Sequence, residues 1–79
     1  MTNTTYNGWT NYATWNAALW IGNDEFLYDQ ARRYGRHGYD SMIQILETSA
    51  GLATPDGVNW NDPAIDHAEM DEMLSELTD

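Results

Sequence analysis

The chain contains no cysteine, so neither a disulfide nor a thiolate metal site can stabilise a fold of only 79 residues. A chain of this length buries only about 60% of the surface that its unfolded form exposes, so its stability margin is small. One Phe, four Trp and five Tyr are present, and each large aromatic side chain can bury roughly 150–250 Å². This composition is unlike that of disordered chains. It predicts a folded domain whose core depends on aromatic packing.

Glycine and polar residues mark the predicted ends of helices in the first part of the chain. A first helix is predicted from an N-cap at Thr10 to Ile21, with Gly22 ending it and Asn23 capping the next helix. This first helix is apolar nearly all round, which is typical of a helix that its neighbours bury. We therefore expect it to be the central helix of the fold.

The second predicted helix has opposite charges at its two ends. Asp24 and Glu25 fall in its first turn, whereas Arg32 and Arg33 fall in its last turn, before Gly35. Each charge opposes the partial charge of the helix end that it occupies. Its inward stripe is predicted to consist of Leu27, Ala31 and Tyr34.

Apolar periodicity predicts two more helices. The third begins near Tyr39 or Asp40, with Tyr39, Met42, Ile43 and Leu46 on the same face, and ends at Gly51. The fourth begins at Asp66, where Glu69 completes a capping-box pattern, and its apolar stripe is Met70, Met73, Leu74 and Leu77.

A turn is predicted between these two helices at Thr54-Pro55-Asp56-Gly57, because Pro presets φ and Gly accepts a positive φ. A short extended segment near residues 57–61 follows. The prediction is a mainly α, small single-domain bundle of about four short helices over residues 1–79, with residues 1–9 as an N-terminal arm.

No apolar run approaches the roughly 20 residues that span a bilayer. The N-terminal residues have neither the basic start nor the apolar stretch of a signal peptide. We therefore expect a cytoplasmic protein with no membrane partner.

The charge balance limits the class of partner. Thirteen carboxylates accompany three arginines and no lysine, so the formal net charge is −10. Such a field repels nucleic acid and anionic membranes and attracts basic protein surfaces. The alternative interpretation is that the acidity only keeps the protein in solution.

The fourth helix carries much of this charge. From residue 56 to residue 79 there are eight acids and no lysine or arginine. Helical geometry places four of them on an arc of about 80°, apart from the apolar stripe. These four are predicted to contact a partner first: Glu69, Glu72, Glu76 and Asp79.

A second acidic group and one aromatic residue complete the predicted contact. Asp24, Glu25 and Asp29 form the second group. Trp60 is the predicted apolar anchor, because the turn beside it is expected to leave it partly exposed.

No pattern indicates catalysis, a cofactor or a metal. His37 and His67 lack metal-ligand spacing, and exposed polar residues at a helix start explain Asp62, Asp66 and His67 better than a metal site. The segment from Asp56 to Asp62 departs from the EF-hand pattern in the position of its glycine and in lacking the final glutamate.

Two further residue groups were assigned structural roles. The aromatic residues from Trp9 to Trp15 are expected to pack in the core rather than stack on bases, because single-strand binders pair such rings with a positive groove. Arg32, Arg33 and Arg36 are expected to complement neighbouring acids and a helix end, or else to orient a partner.

Three stretches resemble a family of small proteins from phages and other mobile elements. They are Asn7-Gly8-Trp9-Thr10-Asn11-Tyr12-Ala13-Thr14-Trp15-Asn16, running on through Leu19-Trp20-Ile21-Gly22-Asn23-Asp24-Glu25; Thr54-Pro55-Asp56-Gly57-Val58-Asn59-Trp60; and the tail from Ile65 to Leu74. A small acidic protein that is like the members of this family looks similar to the anti-CRISPR inhibitors of type I-C surveillance complexes. This resemblance implies a DNA mimic that occupies the basic DNA-binding surface of such a complex.

The leading hypothesis is therefore a non-enzymatic, anti-CRISPR-type inhibitor that presents DNA-like negative charge to a Cascade-type complex and binds no nucleic acid itself. It is expected to be a monomer or a small homo-oligomer. The alternative is an interaction or self-association domain of a phage or mobile element that uses its aromatic surface, at Trp9 or Trp60.

Overall fold

The structure is a computed structural model, and it describes residues 6–77. Asp79, one of the predicted contact residues, lies outside that range. Four α-helices and one short 3₁₀ turn follow in order: α1 Tyr12–Asn23, α2 Glu25–Tyr34, the 3₁₀ turn Gly35–His37, α3 Tyr39–Ala50 and α4 His67–Leu77. Over the described residues, β pairing is limited to two isolated bridges. The prediction of a mainly α fold with four short helices is confirmed.

The core lies between the four helices and the segment that joins α3 to α4. Each helix contributes apolar side chains, and three residues of the joining segment cover them. The buried apolar residues are Ala17, Ala18, Ile21, Leu27, Ala31, Tyr39, Met42, Leu46, Val58, Trp60, Ile65, Met70 and Leu74. Of the predicted inward stripe of α2, Leu27 and Ala31 are buried, whereas Tyr34 is exposed.

The first two helices are capped one residue later than predicted. Asn11, not Thr10, caps α1, because its side-chain oxygen accepts from the Thr14 N–H at 2.8 Å. Asp24, not Asn23, caps α2, where it accepts from the Leu27 N–H at 3.0 Å. Neighbouring polar residues compete for each cap, and the path of the incoming chain decides between them.

Helix α3 receives its N-terminal cap from α4. Gly38 precedes α3 with φ of 92° and has no side chain to act as a cap. The Asp71 carboxylate of α4 supplies the acceptor instead, at 2.7 Å from the Tyr39 N–H. A Cβ at position 38 would lie 3.4 Å from that carboxylate, which is an ordinary contact, so it is the positive φ angle that favours glycine here.

The predicted turn is present, and it is held against α1. The Gly57 N–H donates to the Thr54 carbonyl at 2.8 Å, and Gly57 has φ of 93°. Asn16, buried in α1, accepts from the Thr54 hydroxyl at 2.6 Å and donates to the Asp56 carboxylate at 2.8 Å. The Trp20 indole donates to the same Asp56 oxygen at 2.8 Å. These bonds connect two of the stretches that carry the family resemblance, so their unusual residues have a structural role.

The same bonds affect the titration of Asp56. Hydrogen bonds from Asn16, and then from Trp20, lower the pKa of the Asp56 carboxyl below its ordinary value of 3.8, because both donors favour the ionised form.

The segment after the turn runs back along residues 52–54. Thr54 N–H donates to the Val58 carbonyl at 2.8 Å, and Trp60 N–H donates to the Leu52 carbonyl at 3.0 Å. An isolated bridge pairs Ala53 with Asn59. The extended segment predicted near residues 57–61 is therefore a minimal hairpin arm.

This arm carries Trp60 into the core. Trp60 has no exposed surface, so the prediction that it is a partly exposed anchor was wrong. The fold-back of the arm onto the helices is the physical reason. Tyr39, also fully buried, donates from its hydroxyl to the Trp60 carbonyl at 2.6 Å. Burial raises the pKa of the Tyr39 phenol far above its ordinary value, and the nearby charges of Glu47 and Asp62 add to this effect.

Candidate functional site

A two-residue turn positions the aromatic side of the candidate site. Tyr6 and Trp9 exchange backbone hydrogen bonds across Asn7 and Gly8, whose φ angles are 50° and 91°. Positive φ at both central residues is the geometry of a type I′ turn, for which Asn-Gly is the favoured sequence. The described part of the predicted arm is thus an ordered hairpin turn. It places the half-buried Trp9 side chain against the core.

The acidic side of the site is the row on α4. Glu69, Glu72 and Glu76 follow one another at spacings of three and four residues, which keeps them on one helix face. Glu72 and Glu76 are exposed, whereas Glu69 is half-buried. One oxygen of Glu69 accepts from the Thr10 N–H at 2.9 Å.

The row and the turn meet in a groove of about 240 Å³. We call it the Trp9 groove, and its lining residues are Gly8, Trp9, Glu69, Glu72, Met73 and Glu76. Small-molecule sites usually span about 300–1,000 Å³. The groove is therefore of a size for one side chain of a partner rather than for a cofactor.

The groove holds negative charge without a compensating cation. Within residues 6–77, no ion pair or side-chain hydrogen bond engages the carboxylates of Glu72 and Glu76. Arg33 forms its ion pair elsewhere, with Asp29 on α2 at 3.0 Å. The site can therefore accept a positive group from outside the described chain.

Two other carboxylates, at the start of α4 and within it, already accept hydrogen bonds that cap helices. Asp66 caps α4, because one oxygen accepts from the Glu69 N–H at 3.0 Å and the other from the Thr10 hydroxyl at 3.2 Å. Asp71 caps α3. Glu69 does not complete the predicted capping box, because the Asp66 N–H donates to the Thr14 hydroxyl and Glu69 accepts from Thr10.

The second predicted acidic group is only partly free. Asp24 caps α2, and Asp29 pairs with Arg33. Glu25 is exposed in the first turn of α2, where it complements the helix dipole. The structure does not bring these three residues into the Trp9 groove.

No group of three or more His, Asp or Glu side chains within the described range is arranged to hold a metal ion. Asp62 accepts from the Ala64 N–H at 2.8 Å, and His67 lies 4.0 Å from Asp40 and stacks edge-on against Tyr39. None of the helices in residues 6–77 is long and apolar enough to cross a membrane.

A separate aromatic cluster lies on the outer face of α1 and the preceding turn. Tyr6, Tyr12 and Trp15 have ring centroids 4.9–5.6 Å apart. Tyr6 and Tyr12 are 41% and 43% exposed, which is unusual for packed aromatic rings. This cluster, unlike the buried Trp60, is an aromatic surface that a partner could reach; Phe26, Tyr28 and Tyr34 on α2 are also exposed.

Sequence reasoning identified the acidic row but not the groove. Gly8 and Met73 were not assigned to a contact, and Trp9 entered only the alternative hypothesis. The Asn7-Gly8 pair is a local signal for a tight turn that could have been used. The approach of that turn to α4 has no local signal, because it joins residues about 60 positions apart.

The fold and the groove define a small, acidic, all-α domain with a row of carboxylates beside an indole; no cation of the described residues pairs with this row. The chain belongs to the DUF7249 family, a family of unknown function whose profile matches residues 2–79. No curated protein and no solved structure matches this chain.

Proposed function

We propose that the protein binds the basic, nucleic-acid-binding surface of a host protein complex through the acidic row of α4, and thereby blocks DNA binding by that complex. A CRISPR effector of the Cascade type, in the bacterial cytoplasm, is the target we propose. The protein binds as a monomer or a small homo-oligomer and needs no catalysis or cofactor. The observation that carries the proposal is that Glu72 and Glu76, beside Glu69, are exposed and have no side-chain partner among residues 6–77.

The position of the row supports a role beyond solubility, because it costs local stability. Glu76 lies in the last turn of α4, which contains no base, at the negative end of the helix dipole. It also stands four residues after Glu72, and a like-charge pair at this spacing costs about 0.2–0.5 kcal/mol. Local rules are broken in this way most often at functional sites.

The spacing of the row suits one nucleic-acid strand. Glu69 and Glu76 are seven residues apart, which is about 10.5 Å along a helix that rises about 1.5 Å per residue. Three charges over that distance give one charge per roughly 5 Å. One DNA strand carries a charge per about 3.4 Å, and the duplex carries one per about 1.7 Å. The row therefore imitates a single phosphate strand more closely than a duplex.

The proposed test is a competition for DNA binding by a purified Cascade-type complex. Wild-type protein is expected to displace DNA, with an affinity that falls steeply as salt is raised. Glu72→Lys/Glu76→Lys is expected to abolish the competition. This variant should fold, because both positions are exposed and a lysine at position 76 is favourable in the last turn of the helix.

The matched control removes the same charge elsewhere. Glu72→Gln/Glu76→Gln and Asp40→Asn/Glu47→Gln have equal net charge, and the second pair lies on α3, outside the predicted contact residues. Weaker competition by the first pair alone supports a contact at α4. Equal effects would show that only the net charge matters, and unchanged competition after the double reversal would refute the proposal.

The second candidate function is self-association through the aromatic cluster, which the exposure of Tyr6 and Tyr12 favours. Apolar association resists salt, unlike the charge contact. Sedimentation of wild type and Tyr12→Ser at low and high salt separates the two. A dimer that persists at high salt and is lost in Tyr12→Ser would favour this candidate.

A further inference from the structure

We infer that the Trp9 groove is a binding site for a single arginine side chain of the partner's basic surface. The inference rests on the proposed function and names the subsite within it. The groove combines features of three kinds: a volume for one side chain, an aromatic and apolar wall, and carboxylates with no cation of their own.

The volume and the lining select a long, cationic side chain. Trp9 and Met73 supply the apolar part of the lining. The aliphatic stem of a long basic residue can cover such surface while its charged end reaches the carboxylates. An anionic or purely apolar group would leave Glu72 and Glu76 uncompensated in the same groove.

The indole selects arginine over lysine. A planar, weakly hydrated guanidinium stacks on aromatic rings, whereas an ammonium is compact and strongly hydrated. Arginine also presents donors in a fixed fork that matches a carboxylate. Glu72 and Glu76 can each accept from that fork, because no hydrogen bond or ion pair in the described range occupies their carboxylates.

The site is formed before the partner arrives. The type I′ turn at Asn7 and Gly8 sets the backbone of Trp9. The next residue, Thr10, is bonded to Glu69 and Asp66 at the start of α4. The aromatic wall and the carboxylate row are thus joined by hydrogen bonds, and preorganisation of this kind reduces the entropy lost on binding.

The test uses the full chain and two hexapeptides of equal charge, one with arginine and one with lysine as its basic residues. Binding is followed by NMR at the Gly8 amide and the Trp9 indole N–H. We expect the arginine peptide to bind about three to ten times more tightly, and to shift these two signals. Equal affinity of the two peptides, or no shift at Gly8 and Trp9, would overturn the arginine subsite.

Variants separate this inference from the proposed function. Trp9→Leu keeps apolar bulk but removes the ring, and is expected to abolish the preference for arginine, whereas Trp9→Phe keeps most of it. Spectra of residues in α2 and α3 report whether each variant is folded. Glu72→Gln/Glu76→Gln is expected to weaken both peptides.

Failure of the arginine subsite and failure of the charge contact at α4 would give different results. If Trp9→Leu retains the arginine preference while the glutamine pair weakens both peptides, the arginine subsite is wrong and the charge contact stands. If the glutamine pair leaves both affinities unchanged, the charge contact at α4 is wrong as well.

Discussion

The backbone N–H of Thr10 donates to the Glu69 carboxylate at 2.9 Å, across 59 positions of sequence. The Thr10 hydroxyl adds a second bond to Asp66 at 3.2 Å. Because Trp9 directly precedes Thr10, these bonds place its indole beside the acidic row. The N-terminal turn and α4 therefore form one surface.

Loss of the Glu69 bond should destabilise the fold. We expect Glu69→Ala to lower the free energy of unfolding by about 1–2 kcal/mol, because it leaves a part-buried N–H without its charged acceptor. Urea unfolding measures the change. Glu72→Ala, on the same helix but without a side-chain bond, should stay within about 0.5 kcal/mol of wild type. Equal losses in the two variants would contradict this role of Glu69.

Replacing Glu76 should separate stability from binding. We expect Glu76→Lys to raise the free energy of unfolding by about 0.5–1 kcal/mol, because it removes repulsion from the helix end and from Glu72. The same variant should compete less well for the basic target. Urea unfolding and the DNA competition are measured on one preparation. A variant that is less stable, or that competes as well as wild type, would contradict the trade-off.

The cap that α4 provides to α3 should be measurable in the same way. We expect Asp71→Ala to cost about 1 kcal/mol, as is usual for loss of a helix N-cap, because the Tyr39 N–H loses its acceptor. Asp71→Asn keeps a side-chain oxygen and should retain most of the stability. If the two substitutions were equally harmful in urea unfolding, capping would not be the role of Asp71.

Stability should fall at alkaline pH because of Tyr39. Burial raises the pKa of the Tyr39 phenol in the folded protein. The contribution of Tyr39 to the free energy of unfolding is therefore complete at pH values below its unfolded pKa of about 10, and it is lost as the pH rises above that pKa. Urea unfolding between pH 8 and pH 11 measures the slope. Tyr39→Phe should be less stable at pH 8, since it loses the bond to the Trp60 carbonyl, but should show a weaker alkaline decline. The same decline in both proteins would rule out Tyr39 as its source.

Asp56 should contribute to the stability of the fold at low pH. The hydrogen bonds from Asn16 and Trp20 lower the pKa of the Asp56 carboxyl in the folded protein. The contribution of Asp56 to the free energy of unfolding is therefore present at pH values above its unfolded pKa of about 3.9, and it is lost as the pH falls through the lower folded pKa. Asp56→Asn should flatten the dependence of stability on pH below about pH 4. Urea unfolding curves of both proteins from pH 2.5 to pH 6 measure this dependence. If the stability of Asp56→Asn fell with pH as steeply as that of wild type, this role of Asp56 would be contradicted.

Local signals gave correct predictions where one residue had no competitor: Gly51 follows the end of α3 and Asp66 caps α4, as predicted. Of the two predicted starts of α3, Tyr39 and Asp40, the helix begins at Tyr39. The caps at Thr10 and Asn23 were each wrong by one position, because the next residue is also a good capping residue. Such choices depend on the direction of the incoming chain, which a local pattern does not contain.

Trp60 shows where local reasoning failed entirely. Its neighbours are turn-forming residues, which are usually exposed, and this pattern suggested an accessible indole. The arm that carries it pairs with residues 52–54 and packs on the helices, so the side chain is buried. Burial here follows from contacts between distant elements, and neighbouring residue types do not report it.

The sequence alone determined how much charge the chain carries and that Glu69, Glu72 and Glu76 share one face of α4, because the helical repeat depends only on local backbone geometry. Only the tertiary structure decided which carboxylates remain free. Asp56, Asp66, Glu69 and Asp71 are chemically similar to Glu72 and Glu76, yet hydrogen bonds from distant residues engage the first four. The tertiary structure also placed Trp9 beside the row. Hydrogen-bond partners are selected by distance in space, and that distance is set when the helices pack.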